Sequence, residues 1–268
     1  MADSILSPRE IRRYNRQIML PEIGIPGQEK LKQARVLVVG AGGLGCPVLQ
    51  YLAAAGVGMI AIAEYDMVNE TNLQRQILYG SDDVGKLKSI IAANRVEHLN
   101  NLIETERINL KIDNSNSLRI LKGYDVIVDA TDNLRARYII NDSCVILDKP
   151  MVHGAIYKYE GQVSVFNYQG GPTYRCYNPY DKNKTFKNPL PADVGLLGVL
   201  PGITGTFMAN EVIKIITETG KILSGTVLLF NIYDYSFNFL EVADIPENHN
   251  IKTLSNDFIH PPTPPGGG

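Results

Sequence analysis

Arg35-Val-Leu-Val-Val-Gly40-Ala-Gly42-Gly43-Leu-Gly45-Cys46 is the stretch on which the fold turns. Its apolar opening runs without alternation, as strands do when helices cover both faces of a parallel sheet. The glycines follow at once in a G-x-G-x-x-G pattern, and Cys46 to Ala55 then reads as a helix, so the segment opens a βαβ unit. In that context the glycines permit a tight turn and bring backbone N–H groups and the positive end of the helix up to a phosphate. Merely close helix packing is the plainer use of the same glycines. A second strand, Met59-Ile-Ala-Ile-Ala, ends at Glu64, 19 residues after Gly45, where an acid accepts hydrogen bonds from ribose hydroxyls.

Working outward, Asp82 to Asn101 reads as a helix entered through acidic residues that suit its positive end. Tyr124-Asp-Val-Ile-Val-Asp129 reads as a third buried strand, and Leu134 to Val145 as its helix. Strands alternating with helices predict a doubly wound, Rossmann-like α/β sheet. Beyond Pro150, Gln162–Asn167 and Thr226–Asn231 lack crossover helices, so the sheet is expected to become mixed, a parallel N-terminal half with an antiparallel C-terminal extension. Gly205 to Ile216 reads as a helix, preceded by a loop or short helix over Gly195–Gly202. The segment from about Tyr174 to Pro191 and the tail His260-Pro-Pro-Thr-Pro-Pro-Gly-Gly-Gly268 are biased in composition and are expected to lie outside the core. The division that results is one domain over 1–245 and a C-terminal extension over 246–268.

Composition narrows the function. With 26 basic and 28 acidic residues the chain has no footprint for nucleic acid or an anionic membrane. The N-terminus carries no apolar leader, and no run approaches a membrane span, so a cytoplasmic protein is expected. The 3 cysteines, Cys46, Cys144 and Cys176, are too few and too scattered for a disulfide framework, which fits a reducing compartment.

The glycine turn alone favours a dinucleotide oxidoreductase. Asn69-Glu-Thr-Asn72-Leu-Gln-Arg75-Gln76, with Lys86 and Lys88 shortly after, points elsewhere, because a nicotinamide site has no use for such a set. Attack of a carboxylate on the α-phosphate of ATP brings two anions together and expels pyrophosphate, so it needs cations where charge builds up. Arg75 and Lys88 fit that clamp. Each taken singly is also an ordinary surface charge. Asp129 and Asp132 fall at the carboxyl edge of the third strand, where either holds a metal or, in Thr131-Asp132-Asn133, simply caps the next helix; spacing weighs the two equally.

Taken together, Arg13-Tyr-Asn-Arg16-Gln-Ile, the glycine turn, Asn72-Leu-Gln-Arg75-Gln, Val84-Gly85 with Lys88, Ala130-Thr-Asp132-Asn, Glu160-Gly-Gln and Glu211-Val-Ile-Lys resemble the adenylyltransferases that activate sulfur carriers in molybdopterin and thiamine biosynthesis. These are similar to the adenylation half of ubiquitin-activating enzymes. The resemblance spans nearly the whole chain and implies ATP-dependent adenylation of the C-terminal Gly-Gly carboxylate of a small ubiquitin-like carrier. Carried over position by position, Gly40, Gly42, Gly43 and Gly45 take the phosphates and Glu64 the ribose. Asn72, Arg75 and Lys88 contact the triphosphate, Asp132 organises Mg²⁺ and the reacting carboxylate, and Asp66 and Asn133 complete the nucleotide site. Arg16 reaches into a neighbouring subunit's site, which implies a homodimer. The carrier's body docks on the second half, including Leu196 to Leu200, because a Gly-Gly tail has no side chains to read.

The pattern is broken in three places. Where relatives carry Cys-x-x-Cys pairs for zinc, this chain has Thr173-Tyr-Arg-Cys176 and Pro246-Glu-Asn-His-Asn-Ile, so no structural zinc is expected; Cys176 and His249 have no evident partners. Asn188-Pro-Leu-Pro191-Ala-Asp193 holds no cysteine, so the chain is expected to stop at the acyl-adenylate, with a separate sulfur donor. Cys176, activated by Arg175, is the substitute nucleophile if there is one. The tail reads as a linker, or as a mimic of a carrier's own Gly-Gly end. A tRNA-base dehydratase acting through an adenylated intermediate, and a non-catalytic nucleotide-binding scaffold, are the rival readings.

Overall fold

The computed structural model describes residues 4–180 and 195–255. Two helices, α1 (Pro8–Ile18) and α2 (Gly24–Gln33), precede the βαβ opening of β1 (Arg35–Val39), α3 (Gly45–Ala55) and β2 (Met59–Ala63). Then come α4 (Lys88–Leu99), β3 (Glu104–Ile108), α5 (Ser117–Leu121), β4 (Val126–Asp129) and α6 (Leu134–Leu147). The second half holds β5 (Met151–Tyr157), β6 (Glu160–Phe166), α7 (Tyr174–Tyr177), α8 (Val199–Thr217), β7 (Thr226–Asn231) and β8 (Ser236–Glu241).

The 8 strands form one sheet in the order β3-β2-β1-β4-β5-β6-β7-β8. Pairing is parallel from β3 across to β5 and antiparallel from β5 to β8, as expected for the mixed sheet. The unbroken apolar runs are explained by burial on both faces. Val36 and Val38 join a core with α3, α4 and α8, while Leu37 and Val39 join another with α5, α6 and α7. Helix α8 is long and apolar enough by composition to cross a membrane, but 56% of its apolar 18-residue stretch is buried inside the fold.

Four expectations are corrected. The helix expected over 82–101 begins at Lys88, because Gly85 takes φ 81°, a left-handed value that stops a helix there. The acids ahead of it serve a short turn instead: Asp83 accepts from the Gly80 N–H at 2.9 Å and faces Arg95 at 3.2 Å. Gly205 is not the start of α8, which begins at Val199. A Cβ on Gly205 would lie 2.4 Å from the Leu44 carbonyl oxygen, so this glycine permits the close crossing of α3 and α8. Tyr174 belongs to the core at 2% exposure rather than to an outer loop. The strands β3, β5 and β8 were not anticipated; β3 and β8 show largely exposed side chains, so neither alternates in the way that marks a strand.

Candidate functional site

The sheet reverses its winding between β1 and β4, and there the carboxyl ends of the strands open a cleft of about 440 Å³. Its floor is the glycine turn. Gly40 adopts φ 96°, and a Cβ there would lie 2.7 Å from the Ala130 carbonyl oxygen. At Gly45 a Cβ would fall 2.0 Å from the Gly40 oxygen. Gly42 has more room, 3.6 Å from the Gln76 amide, and Gly43 packs on Pro201. Gly40 and Gly45 thus build the turn, whereas Gly42 keeps its surface open toward the cleft.

Glu64, nearly buried at the end of β2, is fixed by backbone donors on both oxygens. Oε2 accepts from Ala41 N at 2.9 Å, and Oε1 from Tyr65 N and Asp66 N at 2.8 and 2.9 Å. Lys88 opens α4 with its side chain 5% exposed, and its Nζ lies 3.6 Å from the carboxylate of Asp66. The residues after β2 wind into short turns, which leave Arg75 half-buried in the cleft wall, its Nη1 donating to the Thr71 carbonyl at 3.2 Å. That wall is braced from the second half: a Cβ on Gly198, just ahead of α8, would sit 2.1 Å from the Gln74 oxygen. Asn72 stands outside the lining, its amide toward Thr71 Oγ1 at 3.5 Å. Arg16 is also outside it, exposed in the last turn of α1. Arg9 and Arg13 tie that helix to Asn101 and to the Leu99 carbonyl, and Arg16 makes no hydrogen bond to a described residue.

The two aspartates left equal by spacing are separated by the structure. Asp132 is exposed in the cleft. Neither aspartate caps α6; Asn133 does, its side-chain oxygen accepting from Ala136 N at 2.8 Å. Asp129 is fully buried and accepts from Thr131 N at 3.1 Å, from Thr131 Oγ1 at 2.6 Å and from His153 Nδ1 at 2.8 Å. Burial opposes its charge, but the bonds from His153 and Thr131 outweigh this and hold the carboxyl below its ordinary range. Burial likewise keeps the His153 ring neutral by lowering its pKa. An ionised carboxylate only accepts, so Nδ1 of His153 carries the proton.

Sequence reasoning missed several groups here. Leu110, Lys111 and Ile112 reach the cleft from the turn after β3, a strand it did not detect. Arg137 lies one helical turn beyond Asn133, a spacing that was readable once α6 was placed.

The cysteines divide by burial, which pushes the Cys46 thiol up to about 12 and raises that of Cys144 as well. Arg175, expected to activate Cys176, instead pairs with Asp142, Nε at 2.8 Å and Nη2 at 2.5 Å. Cys176 and His249 do have a partner: with Asp244 they bring a sulfur, an oxygen and a nitrogen within 4.8 Å of one another. That is one ligand short of a tetrahedral set. Of the expected dock, Leu197 and Val199 face solvent while Leu200 is core, and an apolar groove runs beside them between Pro47, Tyr51 and Phe207. The segment 188–193 and the tail from 256 onward lie outside the described residues.

Comparison with known proteins places this geometry among relatives. The chain matches the ThiF family over residues 14–252. It is 46% identical over 248 residues to a sulfur carrier protein adenylyltransferase of Thermus thermophilus, an alignment covering 88% of this chain and 89% of that one. It is 47% identical over 244 residues to the adenylyltransferase and sulfurtransferase MOCS3 of Culex quinquefasciatus, covering 88% of this chain but only 54% of that protein's length. Escherichia coli MccB, solved with MccA-N7isoASN, has the same fold, with a TM-score of 0.78 at 21% identity over 91% of this chain and 75% of MccB.

Proposed function

The chain belongs to the ThiF family, and from that premise we propose that it adenylates the C-terminal Gly-Gly carboxylate of a ubiquitin-like sulfur carrier at the expense of ATP. The observation that carries this reading is the meeting of Arg75, Lys88 and Asp132 with Glu64 around one glycine turn. A dehydrogenase needs the turn and the acid. It has no call for two cations and an exposed aspartate opposite them.

The turn's N–H groups and the start of α3 receive phosphate, and the Glu64 carboxylate retains lone pairs for ribose hydroxyls. Arg75 and Lys88 come from the β2 side of the cleft, where the negative charge of the departing pyrophosphate collects. Lys88 is held ready by Asp66, which an incoming polyphosphate would displace as its counter-ion. Asp132 supplies an exposed oxygen donor that suits Mg²⁺, and the metal would neutralise phosphate charge. The attacking group is already an anion, so no base is required; the carboxylate oxygen bonds to the α-phosphorus as the bond to pyrophosphate breaks.

Arg16 reaches into the site of a second copy, a reading supported by its exposure and its lack of a described partner on the helix that Arg9 and Arg13 secure. The groove between Pro47, Tyr51 and Phe207 gives that homodimer an apolar contact. The sulfur comes from a separate donor, the fold is independent of zinc, and the free thiols suit the cytoplasm. ATP–pyrophosphate exchange with a panel of Gly-Gly-terminated carriers tests the central claim. Exchange with one carrier, lost in Arg75→Ala and Asp132→Ala, is expected; no exchange with any carrier, while ATP still binds, would overturn it.

A further inference from the structure

Of the cleft's cations that have no task in adenylation, Lys111 and Lys158 are exposed and Arg137 alone is half-buried. Arg137 projects from the start of α6, on the opposite side of the glycine turn from the loops that carry Arg75 and Lys88. It is half-buried, and its Nη2 donates to the Thr131 carbonyl at 3.2 Å. Its Nε is enclosed and meets no acceptor among the described residues. It belongs to none of the ion pairs found among those residues, although it bonds the Tyr174 hydroxyl and lies within electrostatic reach of the buried Asp129 carboxylate, whereas Lys88 already faces Asp66 at 3.6 Å. A guanidinium presents five N–H donors in one plane, and withdrawing them from water without partners is unfavourable. Such a group is built to meet an anion.

The surroundings say which anion. The wall facing this part of the cleft comes from β5 and β6, at Ala155, Gly161 and Gln162. Gly161 is closed to any side chain, since a Cβ there would lie 2.3 Å from the Phe230 ring. That glycine is imposed by the core beneath the strand, and at this end of the cleft the planar cation of Arg137 keeps its Nε donor free, whereas the glycine turn and the cations around it suit a polyphosphate. Planar, paired donors match a carboxylate.

We infer that Arg137 receives the C-terminal carboxylate of the acceptor, holding one oxygen on its free donors and leaving the other to attack the α-phosphorus. The assignment deepens the adenylation reading and rests on it. No proton is transferred in the step: the P–O bond to the carboxylate forms while the P–O bond to pyrophosphate breaks, and Arg137 stays charged throughout.

The test separates the two claims. Exchange by the wild-type protein with its active carrier establishes adenylation, and its absence sinks that reading. Binding is then measured without chemistry: the same carrier, and a version ending in a carboxamide, are each titrated into wild-type protein and Arg137→Ala in the presence of a non-hydrolysable ATP analogue. Loss of a charged pair predicts that the carboxylate carrier binds the variant at least about tenfold more weakly, while the carboxamide carrier binds both proteins alike. Affinity for the analogue is unchanged, and added guanidinium restores part of the exchange rate. Equal weakening of both carriers, or weakened nucleotide binding with carrier binding intact, overturns the assignment. Arg137→Lys, which keeps the charge but not the planar fork, serves if the alanine variant does not fold, with a smaller loss confined to the same carrier expected.

Discussion

Replacing Asp129 and Asp132 separately with alanine should damage different properties, although the residues are three apart and read alike in the sequence. Removing the Asp129 carboxylate leaves the His153 Nδ1–H without an acceptor in a site where the ring is 1% exposed, and strips two further hydrogen bonds from Thr131. Each buried donor left unsatisfied costs about 1–3 kcal/mol. Thr131 is half-buried and regains part of its loss from water. A total of about 3 kcal/mol follows, or roughly 9 °C in melting temperature for a domain of this size. Asp132 is exposed and makes no comparable bonds, so its removal should stay within about 0.5 kcal/mol. Differential scanning fluorimetry reads the first quantity, and ATP–pyrophosphate exchange at 25 °C, where both variants are folded, reads the second. Asp129→Ala should melt early while retaining exchange; Asp132→Ala should melt with the wild type and lose it. Equal melting temperatures for the two variants would refute the division of labour drawn from the structure.

Stability should also depend on pH through the same pair. His153 is held neutral in the fold, so below about 6.5 the unfolded chain takes up a proton that the folded chain refuses. Stability therefore declines as pH falls from 7, with a slope of up to about 1.4 kcal/mol per unit, and His153→Gln should flatten that slope in a melting series. Asp129, depressed in the fold, adds a second loss only below about 3.9, as pH falls toward its folded value. Gly45→Ala should abolish nucleotide binding in calorimetry, because its Cβ would lie 2.0 Å from a backbone oxygen that cannot move aside; binding within the error of wild type would mean the turn is looser than described. Dialysis against a chelator should leave the melting temperature unchanged, and elemental analysis should find no stoichiometric zinc; one metal per chain would instead make Cys176, Asp244 and His249 its ligands. Mixing Arg16→Ala with Asp132→Ala should restore part of the exchange activity if each site borrows an arginine from a second copy, and no recovery would remove Arg16 from the site.

The parallel half of the sheet was legible because its strands are apolar on both faces, and the glycine turn because its spacing is imposed by backbone geometry. Strand β3, Glu104-Thr-Glu-Arg-Ile108, was illegible: it lies at the sheet edge with charged side chains in solvent and forms through pairing with β2, which composition does not report. Glu64, Lys88 and Asp132 could be singled out because they lie beside recognisable motifs, and the fold brings all three to one cleft. Asp129 could not be told from Asp132, since the difference is made by His153, 24 residues away in sequence. Arg137 was overlooked because its neighbours in space, on β5 and β6, come from strands that sequence spacing does not bring to it.

The contact between Gly198 and Gln74 and that between Gly43 and Pro201 bear on how this chain can be altered by recombination. The loop that carries Arg75 is gripped from one side by the glycine turn and from the other by residues more than a hundred positions later. A chimera that takes its nucleotide loops from one relative and the start of its long helix from another would inherit two halves of an interlocked joint. Gly43, Gln74, Gly198 and Pro201 therefore form a unit of exchange that no short contiguous segment contains, and crossover points that keep the four together should yield active hybrids where a cut between them does not.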